Sequence, residues 1–296
     1  MQRYNFDPSS VDVIPLAREV EVSRDATSIE DVAAALHAIE PTLEPAGIQD
    51  DFHHIYTLVS DRVAAAKQRG EFQRPEMVDA TSPVFLGYYT KPLGQIADFV
   101  QSVQHEGHGN PNALEEMKRC WWLTLVDPRL AGAPRGQRTA LGISSHIIAD
   151  LGFSMGHTKP GKDYFPDYMN VVTRTLNGVI VEEIAKQVPA HPISYKVLVP
   201  SISRGIAAMR HQSWRDYERL RRTPTDQHAA LERTLDYRAT LVNQTIHAVG
   251  PTALTAMART EGLQSLAGLG VNVAGRLRPG LTKAIQTVVN FPSKFL

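Results

Sequence analysis

The residues with the clearest capacity for chemistry lie in one stretch, 138–158, which reads RTALGISSHIIADLGFSMGHT. On an α-helix of about 100° per residue, Asp150 lies about 40° from His146 around the helix axis, and His157 lies about 20° from His146. Imidazole and carboxylate groups on one helix face can transfer protons or bind a metal ion. The spacing therefore predicts a catalytic site built from His146, Asp150 and His157.

The remainder of this stretch is apolar on nearly every side. Its large hydrophobic residues are Leu141, Ile143, Ile147, Ile148, Leu151, Phe153 and Met155. A helix that is apolar all round is enclosed by other helices. Since a buried imidazole or carboxylate without a partner is costly, His146 and Asp150 each need another side chain, a metal ion or a substrate.

Three interpretations of the pair follow. In the first, His146, Asp150 and His157 bind Zn or Fe together with His53. His53 lies at the edge of the buried face of an amphipathic helix predicted near residues 48–69. Zn would imply hydrolysis, and Fe would imply oxygen chemistry. In the second, no metal is needed: His146, polarised by Asp150, is the acid or base in an isomerisation, elimination or cyclisation. In the third, the pair is structural and the protein binds a molecule without reacting with it.

The expected substrate is a small, largely apolar molecule. Aromatic side chains that could line its pocket are Tyr56, Tyr88, Tyr89 and Phe153. A tailoring step in secondary metabolism would suit such a substrate. An anion site is a separate candidate: Arg215, Arg219 and Arg222 share one helix face, but the interleaved acidic residues favour a solvated charged surface.

Composition bounds the class of protein. The 296 residues are 43% hydrophobic and 21% charged, within the globular range. Lys+Arg and Asp+Glu are both 31, so the net charge of +0 provides no global field to attract nucleic acid or an anionic membrane. The single cysteine, the absence of a signal sequence and the lack of an apolar run of about 20 residues predict a cytoplasmic protein without a transmembrane segment. A homo-oligomer is compatible with this composition.

Helical periodicity and capping patterns recur along the chain, whereas strand alternation does not. They predict an all-α fold, a single bundle of roughly nine to eleven helices around the buried central stretch. One domain spans 1–296, with an irregular N-terminal arm at 1–26 and a C-terminal helical extension at 225–296. Pro92 predicts a break or kink within the segment 75–104, which is expected to form two packed helices.

Three motifs carry a resemblance to a known family: Phe52-x-x-x-Tyr56, the central H-I-x-x-D-L that begins at His146, and Arg210-x-x-x-Trp214 followed by Leu220. Together they resemble an uncharacterised, largely actinobacterial family of helical proteins, over roughly residues 46–222. The resemblance implies an all-helical fold and no particular activity. More remotely, the H-x-x-x-D pair is similar to the zinc helix of the zinc-dependent phospholipase C and P1-nuclease superfamily, which implies a zinc hydrolase, although the second histidine falls at a different spacing here.

Overall fold

The computed structural model describes residues 4–49, 51–107, 111–187 and 192–249, and these residues form helices and no strand. The α-helices are α1 Ile14–Val22, α2 Ile29–Leu43, α3 Asp51–Gln68, α4 Pro75–Glu106, α5 Pro111–Glu115, α6 Arg119–Leu125, α7 Arg135–Ser144, α8 Leu151–Thr158, α9 Thr173–Gln187, α10 Pro192–Leu220 and α11 His228–Val249. Two π-helical turns, Ser145–Asp150 and Asp167–Val172, adjoin α8 and α9. When each turn is joined to its helices, the described part contains ten helices, which confirms the predicted all-α bundle.

The central helix of the bundle is the stretch predicted to be buried. α7, the first π-helical turn and α8 run on from one another over 135–158, and every residue from 140 to 155 is buried. Helices α3, α4, α6, α10 and α11 pack around this helix. Its apolar sequence therefore meets apolar neighbours on each side, as the sequence predicts.

Polar side chains from neighbouring helices fix the π-helical turn Ser145–Asp150. The hydroxyl of Ser213 on α10 donates a hydrogen bond of 2.7 Å to the carbonyl of Ile147. The amide of Asn243 on α11 donates to the hydroxyl of Ser145 at 2.8 Å and to the carbonyl of Cys120 at 3.0 Å. A π-helical turn is rare and is found mainly where neighbouring groups satisfy its backbone. Tertiary contacts thus stabilise this turn.

The N-terminal arm is not irregular, contrary to the prediction. It contains α1, whose first turn carries a proline, and Leu16 and Val20 of α1 are buried. α1 packs on α2 and α4. The helix is too short to be stable alone, so its stability comes from these contacts with α2 and α4. The local sequence of α1 does not predict such contacts. Of the predicted C-terminal extension, residues 250–296 lie outside the described part.

The predicted division of the segment 75–104 into two helices is also wrong, because α4 runs through Pro92 as one helix of 32 residues. Pro92 lacks one backbone donor, but it is buried beside Leu93 and Ile96. Packing of the same helix face before and after the proline compensates for the lost hydrogen bond. Among the described helices, none combines the length and the hydropathy needed to cross a membrane.

Candidate functional site

His146 lies in the π-helical turn of the central helix and is 2% exposed. Its ring stacks on Phe85 of α4, with 3.5 Å between the ring centroids and 9° between the planes. The rings of Phe52, Tyr56 and Trp121 meet it edge to face. Aromatic contacts of both kinds are favourable, and together they restrict the imidazole to one orientation.

Asp150 is completely buried and holds one nitrogen of His146. Its Oδ2 lies 3.2 Å from Nδ1 of His146 and accepts a hydrogen bond of 2.9 Å from the indole N–H of Trp121. Its Oδ1 accepts a hydrogen bond of 3.0 Å from the ammonium group of Lys118, which also pairs with Glu232 at 3.0 Å. Donors therefore reach both carboxylate oxygens, as a buried charge requires.

These partners decide which nitrogen of His146 carries the proton. Trp121 and Lys118 can only donate, so the carboxylate of Asp150 acts as an acceptor and Nδ1 of His146 is the N–H. Burial lowers the pKa of His146; the hydrogen bond and charge of Asp150 raise it, and the net direction is downward. The imidazole is therefore neutral at neutral pH, and Nε2 presents a lone pair.

A cavity of about 100 Å³ adjoins the imidazole. Its walls are mostly apolar and include Val32, Ile55, Val63, Val78, Leu151 and Leu176. Nε2 of His146 is buried and has no hydrogen-bond partner among the described residues. The volume is well above that of a single water site, so a small organic molecule fits beside this nitrogen.

Arg210 of α10 lines the same cavity and is 5% exposed. Its guanidinium carbon lies 4.1 Å from the ring centroid of Tyr168, and one terminal nitrogen donates a long hydrogen bond of 3.4 Å to the Tyr168 carbonyl. Nε of Arg210 is buried and has no partner within the described ranges. The cavity thus holds a base and a cation.

One family model matches residues 29–249, which is well over half of the chain. The chain belongs to the DUF5995 family. This family is described as a family of unknown function, so the expected membership of an uncharacterised family is confirmed. No curated protein and no solved structure matches the chain.

In this DUF5995 protein, the four predicted metal ligands do not converge. His53 is buried, but its Nδ1 lies 3.0 Å from the Tyr89 hydroxyl and its Nε2 lies 2.8 Å from the Leu36 carbonyl, so both nitrogens connect α3 to neighbouring helices. Among the described residues, no group of three or more His, Cys, Asp or Glu side chains could hold a metal ion. The likeness to a zinc helix stays a prediction, and these contacts do not fit a metal centre at His146.

His157 does not share the face of His146, contrary to the predicted spacing. It is exposed, and its Nε2 lies 3.2 Å from the hydroxyl of Tyr88. The π-helical turn between the two histidines holds more residues per turn than an α-helix, so later residues lag by roughly one position, about 100°. Of the three residues predicted to be catalytic, the structure therefore brings together His146 and Asp150.

Of the four aromatic residues predicted to bind substrate, Tyr56 lines the cavity. Tyr89 packs behind the site, against Trp121 and the ring of His146. Tyr88 and Phe153 belong to a second apolar cluster of the described part, contact Lys118 and do not line the cavity. Helical spacing groups aromatic residues by face but does not say which face borders a cavity.

Arg210, Lys118 and Trp121 were not predicted from the sequence as residues of this site. Arg210 did carry a signal: it shares the buried face of α10 with Ile206 and Ser213, an unusual place for a cation. The three arginines predicted to share one helix face, Arg215, Arg219 and Arg222, are exposed, as a solvated charged surface requires. For Lys118 and Trp121 no local pattern was available, because they reach Asp150 from α6 across the bundle.

Proposed function

We propose that this DUF5995 protein is a metal-independent acid–base enzyme that acts on a small, largely apolar molecule. The observation that supports it best is Nε2 of His146, a neutral, buried nitrogen with no partner among the described residues, beside an apolar cavity. A base needs such a lone pair next to bound substrate. A structural histidine normally has both nitrogens engaged, as His53 does.

The reaction class that suits this base is isomerisation or elimination begun by removal of a proton from carbon. Nε2 of His146 takes a proton from the carbon next to a carbonyl; the electron pair of the broken C–H bond forms a C=C bond, and the π pair of the carbonyl moves to its oxygen to give an enolate. The imidazolium then returns the proton at another carbon, or the enolate re-forms the carbonyl and expels a leaving group from the neighbouring carbon, which departs with the electron pair of its own bond as a new C=C bond forms. Asp150 stabilises the imidazolium that forms, and Lys118 and Trp121 keep Asp150 in place.

A zinc or iron mechanism has less support from these contacts. A metal ion at Nε2 of His146 would lie on the side opposite Asp150, which contacts Nδ1. His53 has both nitrogens engaged, and His157 is exposed. No step of the proposed reaction is therefore assigned to a metal.

The test is hydrogen exchange at carbon. Wild-type protein is incubated in D₂O with compact carbonyl compounds (cyclohexanone, phenylacetone and phenylpyruvate), and deuterium uptake is measured by mass spectrometry. We expect uptake with wild type and with His157→Gln, and a large loss with His146→Gln, since general-base catalysis contributes typically about 10²–10⁴-fold. Equal uptake with wild type and His146→Gln, or none above the protein-free rate, would contradict the proposal.

A further inference from the structure

We infer that Arg210 anchors a carboxylate, so that the molecule bound beside His146 is a compact carboxylic acid with its oxyanion on the guanidinium and its apolar body against the cavity wall. Arg210 and His146 line one cavity, and both present buried nitrogens without partners among the described residues. The inference rests on the proposed function only where it treats this acid as the substrate of His146. The carboxylate site itself rests on the contacts of Arg210.

No acidic side chain in the part of the chain that the structure describes pairs with Arg210. A guanidinium stays protonated in proteins, so it cannot escape burial by losing its charge. Its one hydrogen bond within the described residues goes to the Tyr168 carbonyl and is 3.4 Å long. A face-on contact with the Tyr168 ring adds a modest attraction. A buried cation held only in this way favours an anion as its missing partner.

The neighbouring acidic groups are already engaged. Asp167 accepts hydrogen bonds of 3.0 and 2.7 Å from two backbone N–H groups in the loop before α4. Asp216 pairs with Arg238 at 2.6 Å. Burial raises the pKa of Tyr168 to about 12 and also raises that of Tyr164, in each case against the opposing effect of Arg210, so both phenols are neutral.

The chemistry of the cavity selects a carboxylate over a phosphate. Among the described residues that line the cavity, Arg210 is the one with a formal charge. A single guanidinium balances one negative charge and offers a planar set of donors that matches a carboxylate. A phosphate dianion would leave a second charge beside mostly apolar side chains, which is costly.

The size of the cavity limits the rest of the ligand. Its volume is about 100 Å³, the same order as engineered apolar cavities of about 150 Å³ that bind benzene. The apolar body is therefore one ring or a short branched chain. Cyclohexanecarboxylate and phenylacetate each combine one six-membered ring with one carboxylate.

The experiment compares each acid with its neutral amide, cyclohexanecarboxamide or phenylacetamide, by calorimetry on the full chain. We expect wild type to bind the acids roughly 10- to 100-fold more tightly than the amides, as a charged hydrogen-bonding partner implies. Arg210→Met should lose this preference. Arg215→Gln, which removes an exposed arginine of the same helix, should keep it. Equal affinity of wild type for acid and amide would overturn the inference, whether or not Arg210→Met folds.

Thermal stability without ligand gives a second reading. Methionine retains much of the arginine's apolar volume and removes a buried charge, so Arg210→Met should melt at the wild-type temperature or above it. If a carboxylate of the protein itself neutralised Arg210, this variant would melt lower and added acids would not bind, which refutes the inference.

The two proposals can fail separately. Binding of acids that depends on Arg210, without deuterium exchange in any carbonyl compound, would retain the carboxylate site and remove the proposed catalysis. Exchange that depends on His146, without any preference for acids over amides, would retain the catalysis and remove the carboxylate site. Phenylpyruvate carries both groups, and we expect Arg210→Met to slow its exchange more than that of phenylacetone.

Discussion

Replacement of Asp150 by asparagine should separate the chemical role of this residue from its structural role. The carboxylate accepts hydrogen bonds from His146, Trp121 and Lys118 in a completely buried position. Asparagine keeps the shape but offers one acceptor oxygen and one donor NH₂ group. At least one of the three donors must therefore face another donor, and the ammonium group of Lys118 loses its buried counter-charge.

The loss of unfolding free energy in Asp150→Asn can be estimated from these contacts. Breaking a buried ion pair by removing one partner costs about 3–5 kcal/mol. The side chain of Lys118 is 19% exposed and keeps its contact with Glu232, so we expect the lower end, about 3 kcal/mol. At about 2–4 °C per kcal/mol, the melting temperature should fall by roughly 6–12 °C. The variant should still fold.

The same change should alter His146. The hydrogen bond and charge of Asp150 raise the pKa of the imidazole against the effect of burial, so its pKa should fall further below 6.5 in Asp150→Asn. An asparagine can also donate to Nδ1 and move the imidazole proton to Nε2, which removes the base. The corresponding change in a Ser-His-Asp hydrolase lowers kcat by about 10⁴, so we expect deuterium exchange to slow by about 10²–10⁴-fold.

The assay combines calorimetric melting, NMR titration of the His146 ring and deuterium exchange on one preparation. Asp127→Asn is the matched control, because Asp127 is also a buried carboxylate, is paired with Arg129 at 2.6 Å and does not line the cavity. It should lower the melting temperature and leave the His146 titration unchanged. If Asp150→Asn melts lower but keeps both the wild-type titration and the wild-type exchange rate, Asp150 has only a structural role and our reasoning about the base is wrong.

Three further results are expected. The pKa of His146 in the folded protein is below the ordinary 6.5, so the unfolded chain takes up the proton first as the pH drops. The unfolding free energy, measured by urea denaturation, should therefore fall by up to about 1.4 kcal/mol per pH unit between about pH 6.5 and the folded-state pKa. In His146→Gln this decrease should be smaller. Gly142→Ala should lower the unfolding free energy by about 1–3 kcal/mol, because the added Cβ overlaps the Phe52 ring. Gly87→Ala, with no atom within 4 Å of the added Cβ, should leave stability unchanged or raise it. Thermal melting of both variants measures the difference. Asn243→Ala removes the bridge between α6 and the π-helical turn and should lower the unfolding free energy by about 2–3 kcal/mol; an unchanged urea midpoint would contradict the role assigned to this side chain.

The sequence alone is enough to predict the fold class and the position of the central helix. Residues 138–158 are apolar on all sides, and only enclosure by other helices removes so much apolar surface from water. It also determined that His146 and Asp150 meet, because residues four apart are neighbours on any helical turn. These inferences depend on local periodicity, which a single sequence contains.

Which residues complete the site depends on how the helices pack in three dimensions. The π-helical turn is stabilised by Ser213 and Asn243 from distant helices, and it moves His157 away from the face that α-helical spacing assigned to it. Likewise, Arg210 reaches the cavity of His146 only because α10 crosses the central helix at that level. Contacts between residues far apart in the chain depend on how whole helices pack against one another. The residues of any single helix do not specify which other helix it contacts or at what level.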